Sequence, residues 1–235
     1  MPPIRYAALA SDYDGTLATD GVVDRDTVEA LRRLAATGRK LILITGRQLE
    51  DLLRVFPDAR IFDRIVAENG AIAYEPAAQR TRLLTEGPPR RFLEELQRRG
   101  VAPLYSGRVV VATVQPNDGI VANVIDELGL PLDIILNKEA VMILPRGVDK
   151  ASGLAAVLEE LALSPRDVVG IGDAENDQAF LAMCGYGIAV ANALDSVKAG
   201  ADHVTQRRAG AGVREVIDGL IADDLRGVSE GGRER

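Results

Sequence analysis

Ala10-Ser11-Asp12-Tyr13-Asp14-Gly15-Thr16-Leu17 follows an apolar stretch, residues 6–10, that reads as a short strand, so two carboxylates emerge together where that strand ends. Two like charges one residue apart at the end of a buried strand are costly to desolvate unless a cation, a proton or hydrogen bonds compensate them. A magnesium site is one reading of Asp12 and Asp14; an ordinary Asp-Gly turn after an edge strand is the other. The remainder of the chain decides between them.

Outward from this segment, apolar runs alternate with helical patterns: a helix over residues 26–37, a strand over 40–45, a helix over 48–56 and a strand over 65–68. The strands lack polar alternation, as expected of a parallel sheet covered by helices on both faces and joined by right-handed crossovers. The rhythm returns late, with a helix over 152–161, a strand over 167–172, a helix over 176–183, a strand over 186–190 and a closing helix over 212–222. Between these halves the pattern changes to strand 80–85, helix 88–99, strand 108–115, helix 119–128 and two close strands, 132–136 and 140–144. The expected fold class is α/β: a doubly wound, Rossmann-like parallel-sheet core from residues 1–79 and 145–223, carrying an inserted small α+β module over 80–144. Residues 224–235, rich in Gly and charge, are expected to form a disordered tail.

Composition narrows the function. With 47% hydrophobic residues in a 235-residue chain there is enough apolar surface for a sizeable core, which excludes disorder for the bulk of it. No apolar run approaches the roughly 18 uncharged residues of a membrane span, and no basic segment leads into an apolar signal core, so a cytoplasmic protein with no membrane partner is expected. The single cysteine, Cys184, excludes an internal disulfide and a cysteine-based zinc site, and the single histidine, His203, speaks against a His-dependent triad. A formal charge of −7 argues against a nucleic-acid partner and gives no long-range attraction to an anionic substrate, so any phosphate must be held by local cations.

Four local signals fall at strand ends of the main domain, where an open α/β sheet places its ligand crevice. They are Asp12 with Asp14, then Thr45-Gly46-Arg47, then Lys150 just before the helix expected from Ser152, then Gly172-Asp173-Ala174-Glu175-Asn176-Asp177. An Asp carboxylate can attack phosphorus and form an aspartyl-phosphate, splitting one displacement into two. Asp12 suits that role, with Asp12 and Asp173 as carboxylates for magnesium and Asp14 as the acid that protonates the leaving oxygen and later activates water. The Thr45 hydroxyl and the N–H groups after it would bind phosphate oxygens, with Lys150 adding a point charge. Each element also has a structural reading: Thr45 as a helix cap, Lys150 as a surface lysine, Arg47 as substrate contact or cap, and Asn192 as a residue reaching the site or making an Asx turn. The cluster from Asp173 to Asp177 exceeds what a helix N-terminus needs.

With these residues in order, the chain resembles the haloacid dehalogenase superfamily of phosphatases. Asp12-x-Asp14-Gly15-Thr16 matches its first motif, Thr45-Gly46-Arg47 its second, Lys150 its third and Gly172-Asp173-x-x-Asn176-Asp177 its fourth, over residues 4 to about 222. The resemblance implies Asp12 as nucleophile, Asp14 as acid/base and backbone ligand of magnesium, and Asp173 as a metal ligand. It also implies Asp177 as support for the metal site or for Lys150, and Asn176 near the substrate phosphate. The insertion resembles the family's C2B cap, of the size found in the Cof-type and archaeal phosphoglycolate phosphatase-like group, and Asn69-Gly70 resembles a cap-hinge segment in which Asn69 meets substrate. Arg80, Arg82, Arg108, Asn137 and Lys138 are the polar residues a cap could turn toward substrate. The departures are Ala174 and Ala151, where the family often has Gly. The implied function is magnesium-dependent hydrolysis of a small phosphorylated metabolite, phosphoglycolate or a sugar phosphate, by a monomer or homodimer. The alternatives are a phosphomutase of the same superfamily and a non-enzymatic phospho-Asp signalling module, against which Asp14 and the inserted lid both argue.

Overall fold

The structure is a computed structural model that describes residues 4–137 and 139–229. Its strands are β1 (Ala8–Asp12), β2 (Lys40–Ile44), β3 (Arg64–Ala67), β4 (Ile72–Glu75), β5 (Arg80–Leu83), β6 (Tyr105–Ser106), β7 (Val111–Val114), β8 (Leu132–Asn137), β9 (Ala140–Pro145), β10 (Val168–Gly172), β11 (Tyr186–Ala189) and β12 (His203–Val204). Its helices are α1 (Arg25–Ala36), α2 (Leu49–Val55), α3 (Arg90–Arg98), α4 (Asp118–Leu128), α5 (Lys150–Glu160), α6 (Gln178–Met183), α7 (Asp195–Gly200), α8 (Ala209–Asp223) and α9 (Arg226–Ser229).

The apolar runs that open the chain become the centre of an eight-stranded sheet in the order β12-β11-β10-β1-β2-β3-β4-β5. Every residue of β1 and of β10 is buried, which is why neither strand alternates polar with apolar. β1 lies between β10 and β2, parallel to both, with Ser11 opposite Ile171 and Asp12 opposite Ile44. Three carboxyl ends are thereby brought side by side, and the residues that follow them, Asp12 through Asp14, Thr45 through Arg47, and Asp173 through Asp177, open onto one crevice.

A second sheet, β6-β7-β9-β8, is antiparallel throughout. One face packs with α3 and α4 around its own apolar cluster of Phe92, Leu96, Val121, Val124, Val141 and Ile143. The alternate residues point the other way, as period two requires. Of these, Ala112 and Met142 pair across the ladder and, with Tyr105 beside Ala112, face the crevice of the large sheet.

Three expectations are corrected here. The strand read over 80–85 as the start of the inserted module instead pairs antiparallel with β4 and closes the edge of the large sheet, because a tight hairpin after β4 returns it there. Lys150 is the first residue of α5 rather than a residue before it. Asp149 accepts the Ser152 N–H at 2.7 Å while Ser152 Oγ accepts the Asp149 N–H at 3.0 Å, a capping box that starts the helix two residues earlier. Asp224 and Leu225 are not part of a loose tail: both are buried, and Arg226–Ser229 adds a short helix. Residues 230–235 of the expected tail, and Lys138 among the cap candidates, lie outside the described residues.

Candidate active site

Lys150 occupies the centre of the crevice floor. It is 2% exposed, and its Nζ donates to Asp12 Oδ1 at 2.6 Å and to Asp177 Oδ1 at 2.5 Å. Burial opposes the ammonium charge, but the two carboxylates win and hold Lys150 above its ordinary value. Asp177 is fully buried, and its other oxygen accepts the backbone N–H groups of Asp173 and Ala174 at 2.8 and 2.9 Å. That grip closes residues 173–177 over a 3-10 turn, Glu175–Asp177, so α6 begins at Gln178, two residues after the helix expected from Asn176.

Asp12 is 4% exposed, and burial, then Asp177, push its carboxyl up to about 8 against the pull of Lys150. Asp173, equally buried, receives the Thr16 hydroxyl at 3.4 Å. It also lies where a side chain at Gly15 would be: a Cβ there would stand 2.4 Å from Asp173 Oδ2, so Gly15, at φ 87°, leaves the carboxylate its space. Asp14 is more open, its side chain 43% exposed, and meets Arg47 in a two-pronged pair at 2.7 and 2.8 Å. Arg47 also donates to Asp51 at 2.7 Å and lies over the Tyr13 ring. The hydrogen bonding that Arg47 donates to Asp14 is the leading reason that its guanidinium is held above its ordinary value.

A hard divalent cation suits this donor set. Ligand atoms of Asp12, Asp173 and Asp177 lie within 4.8 Å of one another, and three buried carboxylates face one ammonium. The excess negative charge in a dry site is what a cation with oxygen ligands relieves. Within that set Asp177 also holds Lys150 with one oxygen and the 173–177 turn with the other.

Asp12, Asp14, Gly46, Arg47, Lys150, Asp173 and Asn176 all line one cleft of about 250 Å3. Thr45 is buried and does not line it; its Oγ1 accepts the Arg47 N–H at 3.0 Å, closing the Thr45-Gly46-Arg47 turn rather than capping α2, whose N-cap is Gln48. Asn69 is fully buried behind Asn176, whose Nδ2 donates to Asn69 Oδ1 at 2.9 Å. Asn192 does not reach the cleft: its amide donates to the Gly15 carbonyl at 2.7 Å and accepts the Ala209 N–H at 2.7 Å, bracing the Asp14-Gly15 turn against α8. Arg80 and Arg82 are carried away with β5 and pair with Glu75 and Glu160, and Arg108 pairs with Glu50. The cleft wall that sequence reading missed is apolar: Tyr105, Val110, Ala112, Ala140 and Met142. The available signal was that residues 109–112 and 140–144 are apolar without a break, so both faces of these strands had to be covered, one of them away from the helices.

The model of the haloacid dehalogenase-like hydrolases matches residues 9–103 and 123–217. A phosphoglycolate phosphatase of Natronomonas pharaonis is 31% identical over 227 residues, covering 90% of this chain and 96% of that protein. Phosphoglycolate phosphatase 1 of Saccharolobus solfataricus is 28% identical over 226 residues, covering 92% and 96%. The crystal structure of a haloacid dehalogenase-like hydrolase from Bacteroides thetaiotaomicron superposes with a TM-score of 0.77 at 21% identity, over 92% of this chain and 99% of that one. With a family model spanning most of its length and a relative above 30% identity, the chain belongs to the haloacid dehalogenase-like hydrolases.

Proposed function

We propose that this phosphatase hydrolyses a small phosphomonoester with magnesium, through a phosphorylated Asp12. The observation that carries the reading is Asp12 itself, a buried carboxylate at a central strand end, held by Lys150 and facing a small cleft. An Asp12 oxygen forms the new bond to phosphorus as the bond from phosphorus to the leaving oxygen breaks, and Asp14 gives its proton to that oxygen. Asp14 exchanges its Arg47 pair for the substrate, which its exposure allows. In the second step Asp14 takes a proton from water as the water oxygen bonds to phosphorus, and Asp12 leaves with its bonding pair, giving inorganic phosphate. Asp12, Asp173 and the Asp14 backbone carbonyl would hold magnesium, which would neutralise the phosphoryl oxygens. Lys150 holds Asp12 in line, Asp177 holds Lys150, and Gly46, Arg47 and Asn176 border the phosphate.

The four-stranded module serves as the lid, its apolar face excluding water from the cleft. Phosphoglycolate is the first candidate substrate, since the full-length relatives carry that name, and a sugar phosphate is the second. The test is phosphate release from phosphoglycolate, sugar phosphates, phosphoglycerates and an aryl phosphate, with magnesium or chelator, beside Asp12→Asn. Metal-dependent release that disappears in Asp12→Asn supports the reading. Release that persists in that variant refutes it, and phosphate returned to a second substrate position would mark a mutase.

A further inference from the structure

Glu68 is fully buried directly after β3, at a left-handed φ of 50°. Its carboxylate turns into the second sheet's territory rather than toward the metal ligands, and accepts three backbone N–H groups: Arg108 at 2.9 Å, Val109 at 2.8 Å and Val110 at 2.8 Å. These amides belong to the tight turn joining β6 to β7, closed by Gly107 N–H to the Val110 carbonyl at 2.8 Å. Gly107 is required there, because a Cβ would stand 2.5 Å from Glu68 Oε1. Tyr105, Val110 and Ala112, on either side of this turn, line the cleft.

The same residue is tied to the opposite wall. Glu68 N–H donates to the Arg47 carbonyl at 2.9 Å and Asn69 N–H to the Thr45 carbonyl at 3.0 Å, so this segment also braces the loop that carries Gly46 and Arg47. Gly70 then passes beneath Asp149, whose carbonyl a Cβ would meet at 1.8 Å. We propose that Glu68 is a positioning residue that sets the apolar, leaving-group wall of the cleft in register with the phosphate-side loop.

A carboxylate is the side chain this turn selects. It is acceptor-only, with two oxygens to share among converging N–H groups, and successive amides in a turn form an anion-binding concavity. A glutamine of the same shape would aim an NH2 group at one of those donors. The kinetic half of the test rests on the phosphatase reading, and the exchange half does not.

In Glu68→Gln, checked for a cooperative thermal transition, amide exchange at Arg108, Val109 and Val110 should rise about tenfold or more over wild type. With magnesium, kcat/KM for p-nitrophenyl phosphate should fall by about tenfold, while acetyl phosphate, which offers little to that wall, should change less than about twofold. If Glu68→Gln does not fold, Gly107→Ala displaces the same turn from its other side and should give the same signature. Unchanged exchange at the three amides overturns the proposal whatever the activity, and so does an equal loss on both substrates. Raised exchange in a chain whose wild type hydrolyses no phosphomonoester would uphold the latch and remove the phosphatase reading.

Discussion

In the proposed reaction Asp12 would have to be anionic to attack phosphorus or bind a cation, yet burial and its neighbouring carboxylates push it up to about 8. In the cation-free protein the raised value means that, above the ordinary 3.8, the folded state binds this proton more readily than the unfolded chain does. This group's contribution therefore falls as pH rises from that ordinary value toward about 8. Cation binding reverses the balance by expelling the proton. Calorimetry at neutral pH in two buffers of different ionisation enthalpy should show release of about one proton per magnesium ion. Affinity should climb with pH and level off near 8. Heats that are the same in both buffers would mean that Asp12 is already ionised. Asp12→Asn should lower kcat by about a thousandfold or more while leaving the fold intact, and Asp14→Asn by about a hundredfold or more. Retained turnover in Asp12→Asn would move the nucleophile elsewhere.

At the scale of elements, the end of α8 shows how far a local reading reaches. Asp224 takes the Arg5 and Tyr6 N–H groups and pairs with Arg39 at 3.0 Å; Arg39 also donates to the Tyr6 and Leu220 carbonyls. Burial pushes the Asp224 carboxyl up, but the Arg5 amide, Arg39 and Tyr6 outweigh it and hold it below its ordinary value. Asp224→Ala should cost about 3 kcal/mol, measured by urea unfolding, since it leaves a buried guanidinium without its counter-charge. The acid sign follows: the wild-type contribution is complete above the ordinary carboxyl value and is lost as pH falls through the depressed one, so the gap between wild type and variant should close in acid. A gap that stays constant into acid would remove Asp224 as its source. Nothing in the sequence around Asp224 announces these partners, which are brought in from the segments just before β1 and β2. By contrast, β1, β2 and β10 were legible because strands buried on both faces must be continuously apolar, and their parallel order placed Asp12, Thr45 and Asp173 together. β5 was read as a strand, but its place was not legible, since a largely exposed edge strand such as Arg80-Thr81-Arg82-Leu83 carries no pattern that says which sheet it joins. Asn192 misled because an Asn after a strand looks the same whether it faces a ligand or ties a turn, and only the fold brings Gly15 to it.

Across the whole molecule, the lid role proposed for the second sheet depends on how it is attached. It is reached through residues 84–89 and left through 146–149, and its contacts with the main domain beside the cleft include the β6–β7 turn on Glu68 and β8 against residues 175–177. The second contact involves the turn that Asp177 folds, so occupancy of the phosphate site and seating of the lid share one structural element. A phosphate mimic bound with magnesium should therefore favour the seated lid. It can do so only to the extent that it binds that arrangement more tightly than a looser one. With orthovanadate and magnesium together, amide exchange should slow by about tenfold or more in residues 84–89, 108–112 and 140–149, while α3 and α4, packed on the lid's own core, should be unaffected. Magnesium alone lacks the phosphoryl oxygens and should protect residues 173–177 without the linkers. Linker exchange that ignores vanadate, in a protein whose residues 173–177 are protected by it, would show that the four-stranded module is a fixed wall and that substrates enter past it.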